Sequence, residues 1–375
     1  MIYADHAATT SLSPLAYEAM LPFLQEQFGN PSSLHRTGVV AKRAISKARE
    51  QVANAIGASP EQILFTASGS ESDSWVLHHA STMPGCHITT TTIEHHAILH
   101  TCEFLQRTGR ADISFIPPDS HGCITPHAVV AAMPSETTLL SVMTANNEIG
   151  TVNDIAALAR HAHQYGVLFH TDAVQAVGHL PLSVSESDVD FLSASAHKFN
   201  GPKGIGFLYC KEPSLLTPLI GGGQQENGLR GGTENVAAIV GMGVALGEAV
   251  SRIQAYQTHM HQLRRDFLHA LSDALAEWYI VGNADDRLDS IVSLCIEGVR
   301  GEALLQRLDL RGICVSTGSA CNSHDTVSSH VLKAIGLTER DARSVIRISF
   351  GLSNTQDEAI CIAKEIARNV QALRK

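Results

Sequence analysis

Between residues 60 and 210, short runs rich in branched apolar residues alternate with stretches of helical periodicity. Gln62–Thr66, His87–Thr92, Thr138–Thr144, Val167–Thr171 and Phe191–Ala194 read as strands, and Glu71–Ser81, His95–Thr108 and Asp154–Tyr165 as helices. Alternation of this kind implies βαβ units and a mainly parallel sheet. Such a sheet collects ligands at the carboxyl ends of its strands, so polar residues just past each run are where chemistry is expected.

From Asn235 the pattern changes to one long helical stretch, broken or bent at its glycines, reaching about Leu275. Beyond it strands near Ile280, at Ile291–Ile296, Ile313–Ser316 and Ser344–Ser349 mix with helices at Gly301–Leu308, Ser328–Ile335 and Asp357–Leu373. A smaller α+β domain, residues 251–375, is therefore expected after a large α/β domain, residues 1–250, in a chain of 375 residues. The apolar run Val236–Gly247 is well short of the roughly 20 residues that span a bilayer. The N-terminus, MIYADHAATT, has no basic region followed by an apolar run.

A formal net charge of −10 argues against direct nucleic-acid binding, and no membrane association is expected. Eight cysteines without a CxxC pair fit a reducing, cytoplasmic compartment.

The stretch DFLSASAHKFNGPKGIG, Asp190–Gly206, sets Lys198 at a strand end among Ser, Ala and Gly, before a strand at Gly204–Cys210. A lysine short of carboxylate partners can lose its proton and attack a carbonyl, although an ordinary turn lysine reads the same way. FTASGSESDS places Ser68, Gly69 and Ser70 between a strand and a helix, where free N–H groups suit a phosphate; a Ser-rich helix cap is the alternative. In IEHHAILH, His95 stands at a strand-to-helix junction. His96 and His100 are spaced for one helix face, yet no HExxH or cysteine pair completes a zinc site, and no metal is expected.

Asp172, in HTDAVQAVG, follows an apolar strand and could pair with the ring nitrogen of pyridoxal phosphate or cap a helix. Asn146, Asn147 and Glu148 are too polar for a buried strand end without partners, so they line a site or face solvent. GGGQQENGLRGGTEN, Gly221–Asn235, offers close backbone approach to a ligand, another chain or itself. Cys321, in CVSTGSACNS, lies in a Gly/Ser segment and is either an accessible nucleophile or a small loop residue. Arg347, inside SVIRISFG, holds a substrate carboxylate or a structural ion pair.

These motifs, in order along nearly the whole chain, are YADHAATT, GNPSSLHRTG, FTASGSESD, IEHHA, NNEIG, HTDAVQ, SASAHKFNGPKGIG, GGGQQENGLRGGT, STGSAC and IRIS. Together they resemble the cysteine desulfurases of the NifS/IscS type, in the class V aminotransferase superfamily of fold type I pyridoxal phosphate enzymes. The resemblance implies an α/β large domain with a mainly parallel seven-stranded sheet, and an N-terminal segment of about 15 residues that packs with the small domain. It implies that Lys198 forms the Schiff base with pyridoxal 5′-phosphate and moves the Cα proton. His95 then stacks on the ring and acts as acid or base, Asp172 meets the pyridine nitrogen, and Gln175 and Asn147 act near the phenolic oxygen and the substrate. Gly69, Ser70, Ser195 and His197 hold the phosphate, joined by Thr233 from the other subunit of a homodimer.

By the same resemblance Arg347 binds the carboxylate of L-cysteine. Cys321 takes its sulfur as a persulfide, releases alanine and hands the sulfur to an acceptor protein, such as an iron–sulfur scaffold or a thiolation enzyme. The sequence departs from the family pattern at His6, where many members have Asn, with contacts near the substrate at stake. It departs again at Ala196, where Gly commonly precedes the His–Lys pair. It ends soon after its last helix, so docking of a standard scaffold through a longer tail is not expected. A different pyridoxal phosphate enzyme, such as a selenocysteine lyase or an aminotransferase, is the nearest alternative, and an aminotransferase has no need of Cys321. A non-catalytic histidine-rich metal module would instead be colourless.

Overall fold

The computed structural model describes residues 1–317 and 329–374. The strands are β1 (Ile2–Tyr3), β2 (Ile63–Thr66), β3 (His87–Thr91), β4 (Asp112–Ile116), β5 (Leu139–Ser141) and β6 (Leu168–Asp172). They continue with β7 (Phe191–Ser195), β8 (Gly206–Cys210), β9 (Trp278–Val281), β10 (Ile291–Ile296), β11 (Ile313–Cys314) and β12 (Val345–Ser349). Seven of them form one sheet in the order β2-β8-β7-β6-β5-β3-β4. All neighbours run parallel except β8, which is antiparallel to both β7 and β2. The turn from β7 to β8 is too short to hold a helical crossover, so β8 returns as a hairpin. β2 consequently points the same way as β3, β5, β6 and β7, and the carboxyl ends of all five meet at one edge.

Both faces of the sheet are covered, as a parallel sheet requires. On one side the helices Gly69–Ala80 and His96–Arg107 pack through Trp75, Leu77, Ile98 and Leu105. On the other, Arg36–Ile56, Ile155–Gln164 and Val236–Ser251 contribute Ile45, Val52, Leu158, Ile239 and Leu246 to the main core.

The long C-terminal stretch is two helices, Val236–Ser251 and Ile253–Ala274, at 70° to one another. The expectation of a break at glycine is corrected, because the break falls at Arg252 and Gly241, Gly243 and Gly247 lie inside the first helix. Two of those glycines instead permit close packing. A Cβ at Gly241 would meet Met20 Sδ at 2.6 Å, and one at Gly243 would lie 3.0 Å from Ala48 Cα. Among the described residues no single helix is long and apolar enough to cross a membrane.

A three-stranded antiparallel sheet, β12-β10-β9, is covered by Ile253–Ala274, Gly301–Asp309 and Gln356–Leu373. Its core gathers Leu263, Phe267, Leu304, Ile346, Ile348 and Ile366. The N-terminus reaches across to it: β1 pairs with β11, and the buried Ala4 joins this second core. The chain then passes over the carboxyl edge of the large sheet, where Thr10 N–H donates to the His197 carbonyl. This crossing sets the N-terminal segment as one wall of a cleft.

Candidate active site

The cleft is a cavity of about 480 Å³ at the carboxyl edge of the large sheet. Lys198 sits just after β7, in a short 3₁₀ turn, and lines it. Its Nζ donates to the Ala7 carbonyl at 2.6 Å and the Ala8 carbonyl at 3.0 Å, so the N-terminal segment holds the amine. Gln175 Nε2 donates to the same Ala7 carbonyl at 2.9 Å.

Asp172, at the end of β6, is buried, and its Oδ1 accepts the Val174 N–H at 2.9 Å. It thus caps its own turn and lines the cavity at once. Burial raises its pKa, while His95, the Val174 N–H and Lys198 pull it back. Two further buried carboxyls line the same cavity without having been anticipated. Burial, and then the charge of Asp172, push Asp73 well above the carboxylate range. Glu94 is pushed up to about 8 by burial. Two neutral acids beside one partnered carboxylate concentrate the negative charge on Asp172.

Glu94 Oε1 accepts from the Thr91 hydroxyl at 2.7 Å and from Met143 N–H at 3.0 Å. Its proton makes stability depend on pH. The unfolded chain loses it near the usual 4.5, while the folded chain keeps it to about 8. The stabilisation is therefore fully present below about pH 4.5 and is lost as pH rises toward 8, by up to about 1.4 kcal/mol per unit. Glu94→Gln keeps a neutral side chain of the same shape, and its urea midpoint is expected to fall less steeply than the parent's from pH 5 to pH 8. Parallel slopes would contradict the assignment.

His95 is the N-cap of the helix His96–Arg107, and its Nδ1 accepts the Ala97 N–H at 3.1 Å. A backbone N–H can only donate, so the neutral ring carries its proton on Nε2. Burial lowers its pKa, with Lys198 and His100 adding to the effect and Asp172 opposing it. His96 and His100 stack face to face with centroids 4.7 Å apart. Among the described residues no group of three or more His, Cys, Asp or Glu is arranged to hold a metal ion.

At the opposite end of the cavity the helix Gly69–Ala80 begins, with the Ser68 side chain accepting from Glu71 N–H. A Cβ on Gly69 would meet Val174 Cγ2 at 2.5 Å, so only glycine fits this approach. Ser70, the buried Ser195 and His197 line the same end. His197 Nδ1 lies 3.1 Å from Thr9 Oγ1, and burial pushes its pKa down to about 4. The amine, the buried carboxylate, the ring of His95 and a helix start with neutral donors are the donor set that pyridoxal phosphate requires, and the residues fit it.

Arg347, on β12, enters from the small domain. Its Nη2 pairs with Asp5 at 2.8 Å and its Nη1 donates to the Asn147 carbonyl at 2.9 Å, while the buried Nε has no partner. The ion pair is therefore present, and one guanidinium N–H is left without a partner. Asn147 lines the cavity. Glu148 lines it too, whereas Asn146 neither lines the cavity nor faces solvent. Asn146 is buried and fully used, bonding the Ile93 carbonyl and the N–H groups of Glu148 and Ile149. Glu148, raised by burial to about 7, accepts the Ser329 hydroxyl at 2.5 Å.

Thr233 is exposed and does not line this chain's cavity. Cys321 lies outside the described residues. His6 is not at the cavity either; it stacks edge-on to Tyr3 at 5.0 Å and sits against Gly351, on the far side of the N-terminal segment. The expectation that it alters contacts near the substrate is corrected accordingly. Asp73, Glu94 and His330 are the cavity-lining residues that motif reading passed over, although Asp73 lies within FTASGSESD and Glu94 directly precedes His95; Asp5 does not line the cavity but pairs with Arg347.

Residues 2–360 match the family model described as aminotransferase class-V. The chain is 43% identical to the cysteine desulfurase IscS of Dictyoglomus turgidum, over all of this chain and 95% of that one. A solved NifS-like protein superposes with a TM-score of 0.92 at 35% identity, covering 99% of both chains. A structure titled SspA in complex with cysteine superposes at 0.83, also at 35% identity, covering 93% of this chain and 99% of that one.

Proposed function

We propose, for a chain that belongs to the class-V aminotransferase family and is a cysteine desulfurase within it, that the cavity at the strand ends holds pyridoxal 5′-phosphate and takes sulfur from L-cysteine. The N–H groups at Gly69 and Ser70, with Ser195 and His197, would hold the phosphate; Asp172 would meet the ring nitrogen and Gln175 the phenolic oxygen; Lys198 would hold the aldehyde end through its amine. When bound, the cofactor draws electrons from the substrate's Cα and so weakens the bond between Cβ and sulfur.

The chain's own residues supply the rest. Arg347 offers its unpartnered Nε–H and an Nη2–H to the substrate carboxylate, with Asn147 beside it. Lys198 takes the proton from Cα. His95, with its proton fixed on Nε2 by the Ala97 N–H, lines the cavity as a proton donor and would act as acid or base beside the cofactor. The Cys321 thiolate then attacks the substrate sulfur. A sulfur–sulfur bond forms, the Cβ–S bond breaks with its electron pair moving to carbon, and the fragment takes up protons and leaves as alanine.

The observation that carries this reading is the convergence of Lys198, Asp172, His95 and Arg347, from four separate parts of the chain, on one cavity. Arg347→Lys keeps the charge but loses the fork, and is expected to raise KM for L-cysteine about 10- to 100-fold, as a lost bidentate pair does, while the cofactor band is unchanged. A KM within twofold of the parent's would remove Arg347 from the substrate site.

The second subunit of a homodimer is proposed to bring Thr233 to this cavity; exposed Phe28 and Leu34 support an apolar contact between copies. A cytoplasmic location is proposed as well, and the seven described cysteines, all free thiols, support it. The persulfide is proposed to pass to the thiol of an acceptor protein in iron–sulfur assembly or thiolation.

A further inference from the structure

The wall of the cavity between His95 and Arg347 is built by Ser329 and His330, at the start of the helix His330–Ala334. Two contacts fix that wall. Ser329 Oγ donates to Glu148 Oε2 at 2.5 Å, and Glu148 follows Asn147, whose carbonyl holds Arg347 Nη1. His330 Nε2 lies 2.9 Å from the Glu94 carbonyl, and Glu94 precedes His95. A carbonyl only accepts, so Nε2 of His330 carries the proton and Nδ1 is the lone-pair nitrogen of the neutral ring. The ring is held from its face as well, with the His96 centroid 4.6 Å away. Burial lowers the pKa of His330, the Glu94 carbonyl opposes it, and His95 and His100 add to the lowering. His95 and His330 thus line one cavity as the same Nε2–H tautomer but with opposite nitrogens left unused, the donor Nε2–H in the first and the acceptor Nδ1 in the second.

An amino acid whose amine would replace that of Lys198 at the cofactor's aldehyde, and whose carboxylate would lie at Arg347, has on Cα only its hydrogen and its side chain left to be recognised. We propose that His330 is the specificity-determining residue for that side chain: its Nδ1 accepts a hydrogen bond from the Sγ–H of L-cysteine. The inference rests on the desulfurase reading, and the class it selects is amino acids carrying a hydrogen-bond donor on Cβ.

The test is equilibrium binding to the cofactor-loaded protein in a Cys321→Ala background, where substrate is bound and not cleaved. The shift of the cofactor absorbance is titrated with L-cysteine, S-methyl-L-cysteine and L-alanine, of which only the first has the S–H donor. Adding His330→Ala is expected to raise the Kd of L-cysteine about 3- to 10-fold, the loss of one ordinary hydrogen bond, and to leave the other two unchanged. His330→Phe keeps a ring against His96 without an acceptor and should show the same selective loss, which covers the case in which the alanine variant misfolds. Equal weakening for all three ligands, or none for L-cysteine, would overturn the proposal. Failure of the desulfurase reading looks different, because the protein with Cys321 and His330 both intact would then form no alanine from L-cysteine.

Discussion

Cys321→Ala is expected to retain the cofactor absorbance and to lose alanine formation from L-cysteine by at least about 10³-fold, the scale on which an enzyme fails without its nucleophile. The reasoning separates two tasks. The residues of this chain's cavity proposed to hold the cofactor, Asp172, Ser195, His197 and Lys198 among them, lie at the large sheet's carboxyl edge and do not depend on the thiol. The sulfur, however, needs a soft nucleophile to receive it, and none of the seven described thiols lines the cavity. Cys86, Cys102, Cys210 and Cys295 are buried, and burial pushes Cys102 and Cys210 up to about 12, so they carry no thiolate near neutral pH. Trapping by an alkylating reagent after one turnover should label a persulfide in the parent and none in the variant. Full alanine production by Cys321→Ala would assign the sulfur acceptor elsewhere.

What could be read along the chain, and what could not, divides by the range of the interaction. Runs such as Ile63–Thr66 and Phe191–Ser195 are buried from end to end, and an unbroken apolar run between turn residues signals that locally. Asp112–Ile116 is an edge strand whose residues alternate poorly between exposed and buried, so it leaves no such trace. The bend at Arg252 is equally silent. There the next helix turns to pack on the small domain's core, and glycines that suggested a break serve close packing about three turns earlier.

The same division holds in the site. Lys198, Asp172 and His95 each follow a strand, and strand ends of a parallel sheet are where ligands collect. Glu94, Asp5 and His330 act through partners 49 to 342 residues away: Met143 N–H for the first, Arg347 for the second and the Glu94 carbonyl for the third. Asn146 shows the converse error. A polar residue at a buried strand end suggested a site, yet its amide is consumed by its own turn and by the Ile93 carbonyl.

Lys198→Ala should abolish the cofactor band and cut alanine formation by about 10²- to 10⁴-fold, the range that a positioned proton-transfer group supplies. The nitrogen's surroundings explain why no neighbour can substitute for it. Its hydrogen bonds include those to two backbone carbonyls, Ala7 and Ala8, which accept but never donate or attack. Those carbonyls belong to a segment fixed at both ends. Asp5 pairs with Arg347 and Ala7 N–H donates to Ser349 Oγ on one side; Thr10 bonds the His197 carbonyl on the other. The segment therefore cannot close over the gap that alanine leaves, and the fold should survive with its cavity enlarged. Lys198→Arg separates charge from reactivity. It preserves a cation for Asp172 and the two carbonyls, but a guanidinium stays protonated and can neither join an aldehyde nor take up the Cα proton. Arginine should hence be as inactive as alanine while binding the phosphate end of the cofactor more firmly. If Lys198→Arg instead keeps a tenth or more of the parent rate, the amine is an electrostatic anchor and the proton at Cα moves by another group.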